Sequence, residues 1–280
     1  FDHLAYAHID FNDQSIKSFE CVNGSISETS DLCFDLASLT KPLTLAAYFH
    51  LNPKKLTKDK ELLLCHRAGL PAWGRLSQKD WKEQILAYNI DPQSETLYSD
   101  FSALRLMLEI EKDEVSSIQK LCSSYWDETL VSWKDLKLSQ NCPPTGFRNG
   151  HEISHEVNDD NCFRLNDFCS HAGLFSTISG LTRSLLNLDK QTNFVSFMDQ
   201  DCEYRFLHGW DRVTGENSLA GTSSSKRVFG HLGFTGTSLW IDPTLKKGWV
   251  LLTNATKDYW FHRAELNKLR RRLGALSWAL

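Results

Sequence analysis

Two short patterns in this chain bring together residue types that can do chemistry. His151-Glu152-Ile153-Ser154-His155 has the form H-E-x-x-H. In that motif two histidines one helical turn apart hold zinc while the glutamate acts as a base. Ser38-Leu39-Thr40-Lys41 has the form S-x-x-K, in which one helical turn sets a lysine amine beside a serine hydroxyl. A lysine that is partly desolvated, or held near other positive groups, can be neutral and take the serine's proton.

The elements that carry each pattern decide between them. The zinc motif works only on a helix, where i and i+4 share a face. Here it follows Pro143, Pro144, Gly146 and Gly150 and runs into EVNDDN, which is loop chemistry on both sides. A third ligand at metzincin spacing is absent, so no metal is expected. S-x-x-K occurs at Ser38, Ser117 and Ser223. Ser117 follows the charged EIEKDEV and Ser223 lies in a serine-rich loop, so both read as surface serines. Ser38 precedes the helix-competent LTLAAYF, with Pro42 placed for a first turn. At a helix N-terminus, free backbone N–H groups lower the cost of an oxyanion.

The rest of the chain sets the frame. It has 280 residues, 41% hydrophobic and 24% charged, enough for a substantial core. A net charge of −4 leaves no global basic field for nucleic acid. No apolar run reaches the roughly 18 residues of a membrane span. Eight scattered cysteines without a C-x-x-C pair read as buried thiols of a reduced protein. That usage favours the cytoplasm; the chain opens on Phe1, so a periplasmic location is the alternative if a leader has been removed. LAYAHIDF and SIKSFECV alternate around a turn at residues 12–14, predicting a β-hairpin. Residues 38 to about 110 read as helical, and 139–180 as a long irregular connection. Strands are predicted in 228–241 and 248–254, and an amphipathic helix over about 258–277. Its Lys268, Arg270, Arg271 and Arg272 are read as a solvated face. Strands at both ends around a helical middle predict an α+β fold with both termini in one sheet. One domain over 1–280 is expected: a sheet part of about 1–37 and 181–280, and a mainly helical part of about 38–180.

Five blocks then occur in order: FDLASLTKPLT, LLCHRAGLP, YSDFSALRLMLEIE, NDDNCFRLNDFCSHAGLFST and GHLGFTGTSLWIDP. Together they resemble the serine β-lactamase-related family, which includes class C β-lactamases, DD-carboxypeptidases and esterases. The resemblance implies an antiparallel sheet from both termini flanked by helices, with an inserted, mainly helical region. It implies Ser38 as the acylated nucleophile, Lys41 as its proton acceptor and Tyr98 as the second-motif proton shuttle. His231-Leu232-Gly233 falls on the third motif, and the Phe234 amide would join that of Ser38 in an oxyanion hole. Gly233 would let a substrate carbonyl approach closely. His171, in the HAGLF turn, would lie across the cleft.

Several positions depart from the family pattern. Asp100 stands where asparagine is usual, and a carboxylate there raises the pKa of Lys41. His231 stands where penicillin-recognising members carry lysine; together with the lack of a basic field, it predicts a weak grip on anionic drugs. Only 24 residues separate Lys41 from His66, a short segment for the family. LLCHRAGLP has Cys65, Arg67 and Ala68 where Ser or Thr is commoner, and Asn158 stands where histidine is frequent. The expectation is a serine hydrolase acting through an acyl-enzyme on a small ester or a D-amino-acid peptide, cell-wall peptide included. No cofactor and little or no β-lactamase activity are expected. The competing class is a non-catalytic binding domain that keeps the fold.

Overall fold

The alternation of β1 (His3–Asp10) and β2 (Ser15–Val22) produces the hairpin expected of it, in register from His3 opposite Val22 to Asp10 opposite Ser15. A computed structural model describes residues 2–29, 31–222, 224–258 and 262–280. Ser223, the third S-x-x-K serine, lies outside the described residues, as does part of the predicted start of the last helix. Beyond the hairpin come β3 (Ser25–Ser27), β4 (Phe34–Asp35), β5 (Val131–Ser132), β6 (Phe147–Arg148), β7 (His151–Glu152) and β8 (Leu174–Ser176). The later strands are β9 (Phe206–Leu207), β10 (Trp210–Arg212), β11 (Phe229–Leu232), β12 (Ser238–Asp242) and β13 (Lys247–Thr253). The main sheet is antiparallel, in the order β3-β2-β1-β13-β12-β11-β10-β9, so strands from both ends of the chain meet in its middle.

Period-two alternation divides the two faces. On β1 and β13, Ala5, Ala7, Ile9, Val250 and Leu252 enter the main core. Trp249 and Leu251 point the other way, into a smaller cluster with Leu266 of α9 (Arg263–Ala279). Helix α7 (Ile178–Thr192) covers the main-core face. The region between β4 and β8 is mainly helical. It contains α1 (Ala47–Leu51), α2 (Lys58–Leu64), α3 (Trp81–Leu86), α4 (Asp100–Glu114), α5 (Ile118–Cys122) and α6 (Asp160–Leu165). A further short helix, α8 (Phe194–Phe197), follows α7. No helix of the described residues is long and apolar enough to cross a membrane. All eight cysteines are free, six of them buried.

One motif finds its place and one expectation needs correction. Glu152 and His151 lie on β7, an exposed strand paired with β6, and His155 binds the Gln140 carbonyl oxygen through Nε2. The motif is strand and loop, without the helical turn that sets residues i and i+4 side by side, and His151, Glu152 and His155 form no ligand group among the described residues. The α9 basic cluster is not uniformly solvated either. Arg270 is only 3% exposed, donating from Nε to Ser238 Oγ and from Nη2 to the Thr237 carbonyl. Helical periodicity identified the face, but the loop and strand packed against it were not visible in a local pattern.

The docking of α9 depends on Gly274. A Cβ there would sit 1.9 Å from the Ala220 carbonyl oxygen, which also accepts from the indoles of Trp249 and Trp278. Because the obstacle is backbone, Gly274→Ala should cost about 1–3 kcal/mol of stability. Thermal unfolding reads this directly, and an unchanged Tm would show that α9 does not rest on this contact.

Candidate functional site

Ser38 sits in a 3₁₀ turn (Ala37–Leu39) that opens the helix leading through a widened π-helical stretch (Pro42–Ala46) into α1. Pro42 falls in the first turns, where its missing N–H costs nothing. The residue before the nucleophile, Ala37, has φ of +46°, uncommon for a residue with a side chain. Asp35 holds it there. Its carboxylate accepts from the amides of Ala37 (2.8 Å) and Asn158 (2.7 Å). Burial pushes the Asp35 pKa up to about 6 against the pull of those two amides. β8 completes the clamp, because the Leu36 amide donates to the Leu174 carbonyl and the Leu174 amide to Thr40 Oγ1.

One helical turn on, Lys41 Nζ lies 3.0 Å from Ser38 Oγ, 3.0 Å from the His171 carbonyl and 2.7 Å from Asp100 Oδ1. Its side chain is only 4% exposed. Burial alone would lower its pKa, but the Asp100 carboxylate, and Tyr98 after it, raise it above the usual lysine value. Asp100 is placed by the start of α4. Ser99 caps that helix, its Oγ accepting from the Ser102 amide, so Asp100 occupies the first turn, where a carboxylate also suits the helix dipole. Ser99 is further tied to Pro71 and His66. Tyr98, immediately before the cap, sits beside Lys41, whose Nζ lies 4.8 Å from the centre of its ring. Burial raises the Tyr98 pKa, and Lys41 opposes that rise.

The third-motif residues come from β11 and the turn after it. His231 is 3% exposed and donates from Nδ1 to the Leu232 carbonyl. Burial, then the Lys41 charge, pushes its pKa down to about 3, so the ring is neutral. Gly233 is required by the packing of the protein itself. A Cβ there would meet Thr237 Oγ1 at 1.9 Å and the Leu36 carbonyl oxygen at 2.7 Å. The crowding comes from the seam between this turn and the Ser38 loop, which Thr235 and Thr237 close by donating to the Asp35 and Leu36 carbonyls. Phe234 is exposed and lines the cavities on both sides of Ser38.

His171 does not lie across the cleft. Its side chain is 1% exposed, with Nε2 2.8 Å from Asp159. Burial would lower its pKa, but Asp159 reverses that and lifts it to about 10. Asp159 is held down to about 2, the carboxylate's own burial opposing the effect of the imidazolium. The backbone oxygen of His171, not its ring, reaches Lys41. Asp100, Asp159 and His171 offer ligand atoms within 4.8 Å of one another. The Lys41 ammonium already supplies the cation bonded to Asp100 and to the His171 backbone.

Two cavities flank Ser38. One, of about 420 Å³, runs beside β11 and is lined by Arg205, His231, Arg263 and Arg270. The other, of about 320 Å³, is lined by Trp73, Asp100, Asn158 and Phe234. Three arginines therefore line the cavity beside the serine, positive groups that the net charge of the chain did not reveal. Arg205 is paired with Asp211, whereas Arg270 has no carboxylate within ion-pair distance among the described residues. Burial pushes the Arg270 pKa down to about 10. Asp35, Asp159, Arg205 and Arg270 were all missed from sequence. Asp35 and Asp159 stand inside the family-like blocks, the one signal that pointed to them, while Arg205 had none.

The Asp159–His171 pair gives a pH signature. The raised histidine pKa adds stability that is complete below about 6.5 and lost as pH rises through about 10. The lowered aspartate pKa adds stability present above about 3.8 and lost as pH falls through about 2. Asp159→Asn should therefore cost about 3–5 kcal/mol at pH 6 and flatten the decline between pH 6.5 and 10. Urea unfolding at pH 6, 8 and 9.5 measures both; parallel curves for the two proteins would discard the pair as a stabilising element.

Comparison with known proteins places this geometry in a family. A β-lactamase family model matches residues 61–272, most of the chain, beginning downstream of Ser38 and Lys41. An N-acetylmuramyl-L-alanine amidase of Bacillus subtilis (strain 168) is 35% identical over 119 residues, 36% of this chain and 26% of that protein. The chain thus matches about a quarter of the length of this curated relative. Among solved structures, a β-lactamase from Mycobacterium bovis superposes with a TM-score of 0.61 at 16% identity, over 97% of this chain and 92% of that one. A tyrosine-to-phenylalanine mutant of a class C β-lactamase gives 0.66 at 16% identity, over 96% and 91%. A class C β-lactamase from Rhodobacter sphaeroides gives 0.65 at 13% identity, over 96% and 93%. The fold is therefore the one expected, and with the family model spanning most of its length this chain belongs to the β-lactamase family, whose members are serine hydrolases.

Proposed function

We propose that the chain is a serine amidase that works through an acyl-enzyme on an amide bond of a cell-wall-derived muramyl peptide. The observation that carries this reading is the contact between Ser38 Oγ and Lys41 Nζ, at the junction of two cavities of opposite character. Ser38 attacks the acyl carbonyl while its proton passes toward Lys41. The Ser38 and Phe234 amides hold the oxyanion. As the C–N bond breaks, the Lys41–Tyr98 pair returns a proton to the leaving amine, and water then hydrolyses the ester. The arginine-lined cavity suits the carboxylates of a peptide, with the buried Arg270 guanidinium awaiting a counter-ion. The exposed Trp73 offers an indole face to a sugar ring. The amidase similarity supports an amide over an ester, although esters and D-amino-acid peptides present the same carbonyl to Ser38. Hydrolysis of β-lactams is expected to be weak, because His231 is neutral where a lysine would grip the drug.

One observation favours a second reading, a binding domain that does not turn over. Lys41 held charged by Asp100 cannot take a proton until it has lost its own. Intact-mass labelling with a fluorophosphonate separates the two readings. A stoichiometric adduct that disappears in Ser38→Ala supports the enzyme, and its absence in the wild type supports the binding domain. In the enzyme, acylation should rise toward alkaline pH as Lys41 deprotonates. Removing the carboxylate lowers the Lys41 pKa, so Asp100→Asn should move this limb down by about one pH unit or more and speed labelling at pH 7. A variant inactive at every pH would instead make Asp100 the final acceptor of the serine proton.

A further inference from the structure

We propose that a third cavity, reached from Ser38 across Trp73, is a substrate subsite for an anionic group, a carboxylate or a phosphate, on the acyl half of the substrate. It rests on the reading of Ser38 as the nucleophile that divides the substrate between two flanking cavities. The third cavity holds about 400 Å³ and is lined by Trp73, Arg75, Arg148, Asn149, Asn161 and Arg164. It continues the Trp73 side of the cleft, because Trp73 and Asp160 line both spaces. The Trp73 side chain is 54% exposed, an apolar platform at the join.

The charge inside this cavity is unevenly answered. Arg148 is fixed, donating to Glu156 and to the Val157 and Asn158 carbonyls, with its guanidinium over the Phe163 ring at 3.9 Å. That arginine builds the wall. Arg75 and Arg164 are exposed and make no ion pair among the described residues. Asp160, the acid of the lining, stands 3.5 Å from Arg148 Nη2, and its side chain is 78% exposed. Two guanidiniums therefore face a cavity whose one carboxylate is already shared with a third. Paired N–H donors of this kind match the planar oxygens of a carboxylate or phosphate.

The placement of this basic cavity implies selectivity. A substrate whose acyl half ends at the ring over Trp73 leaves it empty. One whose sugar carries a negative substituent spans it and gains contacts far from the scissile bond, which appear as affinity rather than as a faster chemical step.

Equilibrium binding tests this without turnover. The Ser38→Ala protein, with and without Arg75→Ser and Arg164→Ser, is titrated with N-acetylmuramyl-L-alanyl-D-isoglutamine and with its 6-O-phosphoryl and 6-O-succinyl derivatives. A charged derivative should bind about tenfold more tightly than the parent, less so at high salt. The double arginine variant should lose that preference while its Tm and its affinity for the parent stay unchanged. Preference for the phosphoryl derivative alone assigns phosphate, and for the succinyl derivative alone carboxylate. Absence of a preference, absence of binding, or a preference that survives in the double variant overturns the subsite. Fluorophosphonate labelling of the Arg75→Ser/Arg164→Ser protein with Ser38 intact reports the nucleophile separately. Failure there would strike the reading of Ser38 and leave the binding result standing.

Discussion

A lysine ammonium nearly sealed from water must be answered on every side, and Lys41 imposes that requirement on the whole cleft. Desolvating such a charge costs several kcal/mol unless hydrogen bonds and an opposite charge offset it. The answer is assembled from separate parts of the chain. Ser38 comes from the same helical turn, Asp100 from the first turn of α4, and the His171 carbonyl from the loop leading into β8. Removing one partner leaves a buried charge incompletely matched, so the Ser38 turn, α4 and the loop before β8 are coupled through one nitrogen atom.

Charge in the surrounding shell is sorted into two settings. Lys41 lies 2.7 Å from Asp100, and beside it His171 and Asp159 form a pair in which both partners stay ionised. The two histidines packed beside Tyr98, His66 and His231, are instead driven toward the neutral form by burial, with the lysine charge second. A neutral ring beside the ammonium avoids like-charge repulsion and leaves Lys41 as the cation next to Ser38. The same arrangement explains how the Asp100 carboxylate is accommodated at this half-buried position: it meets a full positive charge at 2.7 Å.

Much of this was legible in the sequence, where the signal was local. The hairpin follows from alternation, Ser38 with Lys41 from helical spacing ahead of a helix-competent run, and Tyr98 and Asp100 only from the resemblance of the block YSDFSALRLMLEIE. Ser38, Lys41, Tyr98, Asp100, His231, Gly233 and Phe234 do converge on one cleft. What escaped depends on tertiary partners. The small sheet β4-β8-β5 has strands of two or three residues, too short for a pattern, yet it fixes the backbone around Ser38. Arg270 sits in a run of basic residues that differ only in what packs over them. The glycine of the third motif also makes room for the Leu36 carbonyl, a contact that no local pattern shows.

The sheet order carries a consequence for how the protein is made. β1 lies between β2 and β13, and the His3 amide donates to the Asn254 side chain, whose own amide also bonds Asp2 and the Pro144 carbonyl. During synthesis the hairpin therefore waits, one edge unpaired, until β13 (Lys247–Thr253) has been made. An unpaired strand edge invites association with other chains. β1 presents alanine and isoleucine on one face and tyrosine and leucine on the other, so nascent chains are at their most aggregation-prone during that interval. The cleft needs α9 as well, so it cannot form before residues 263–279 have been made.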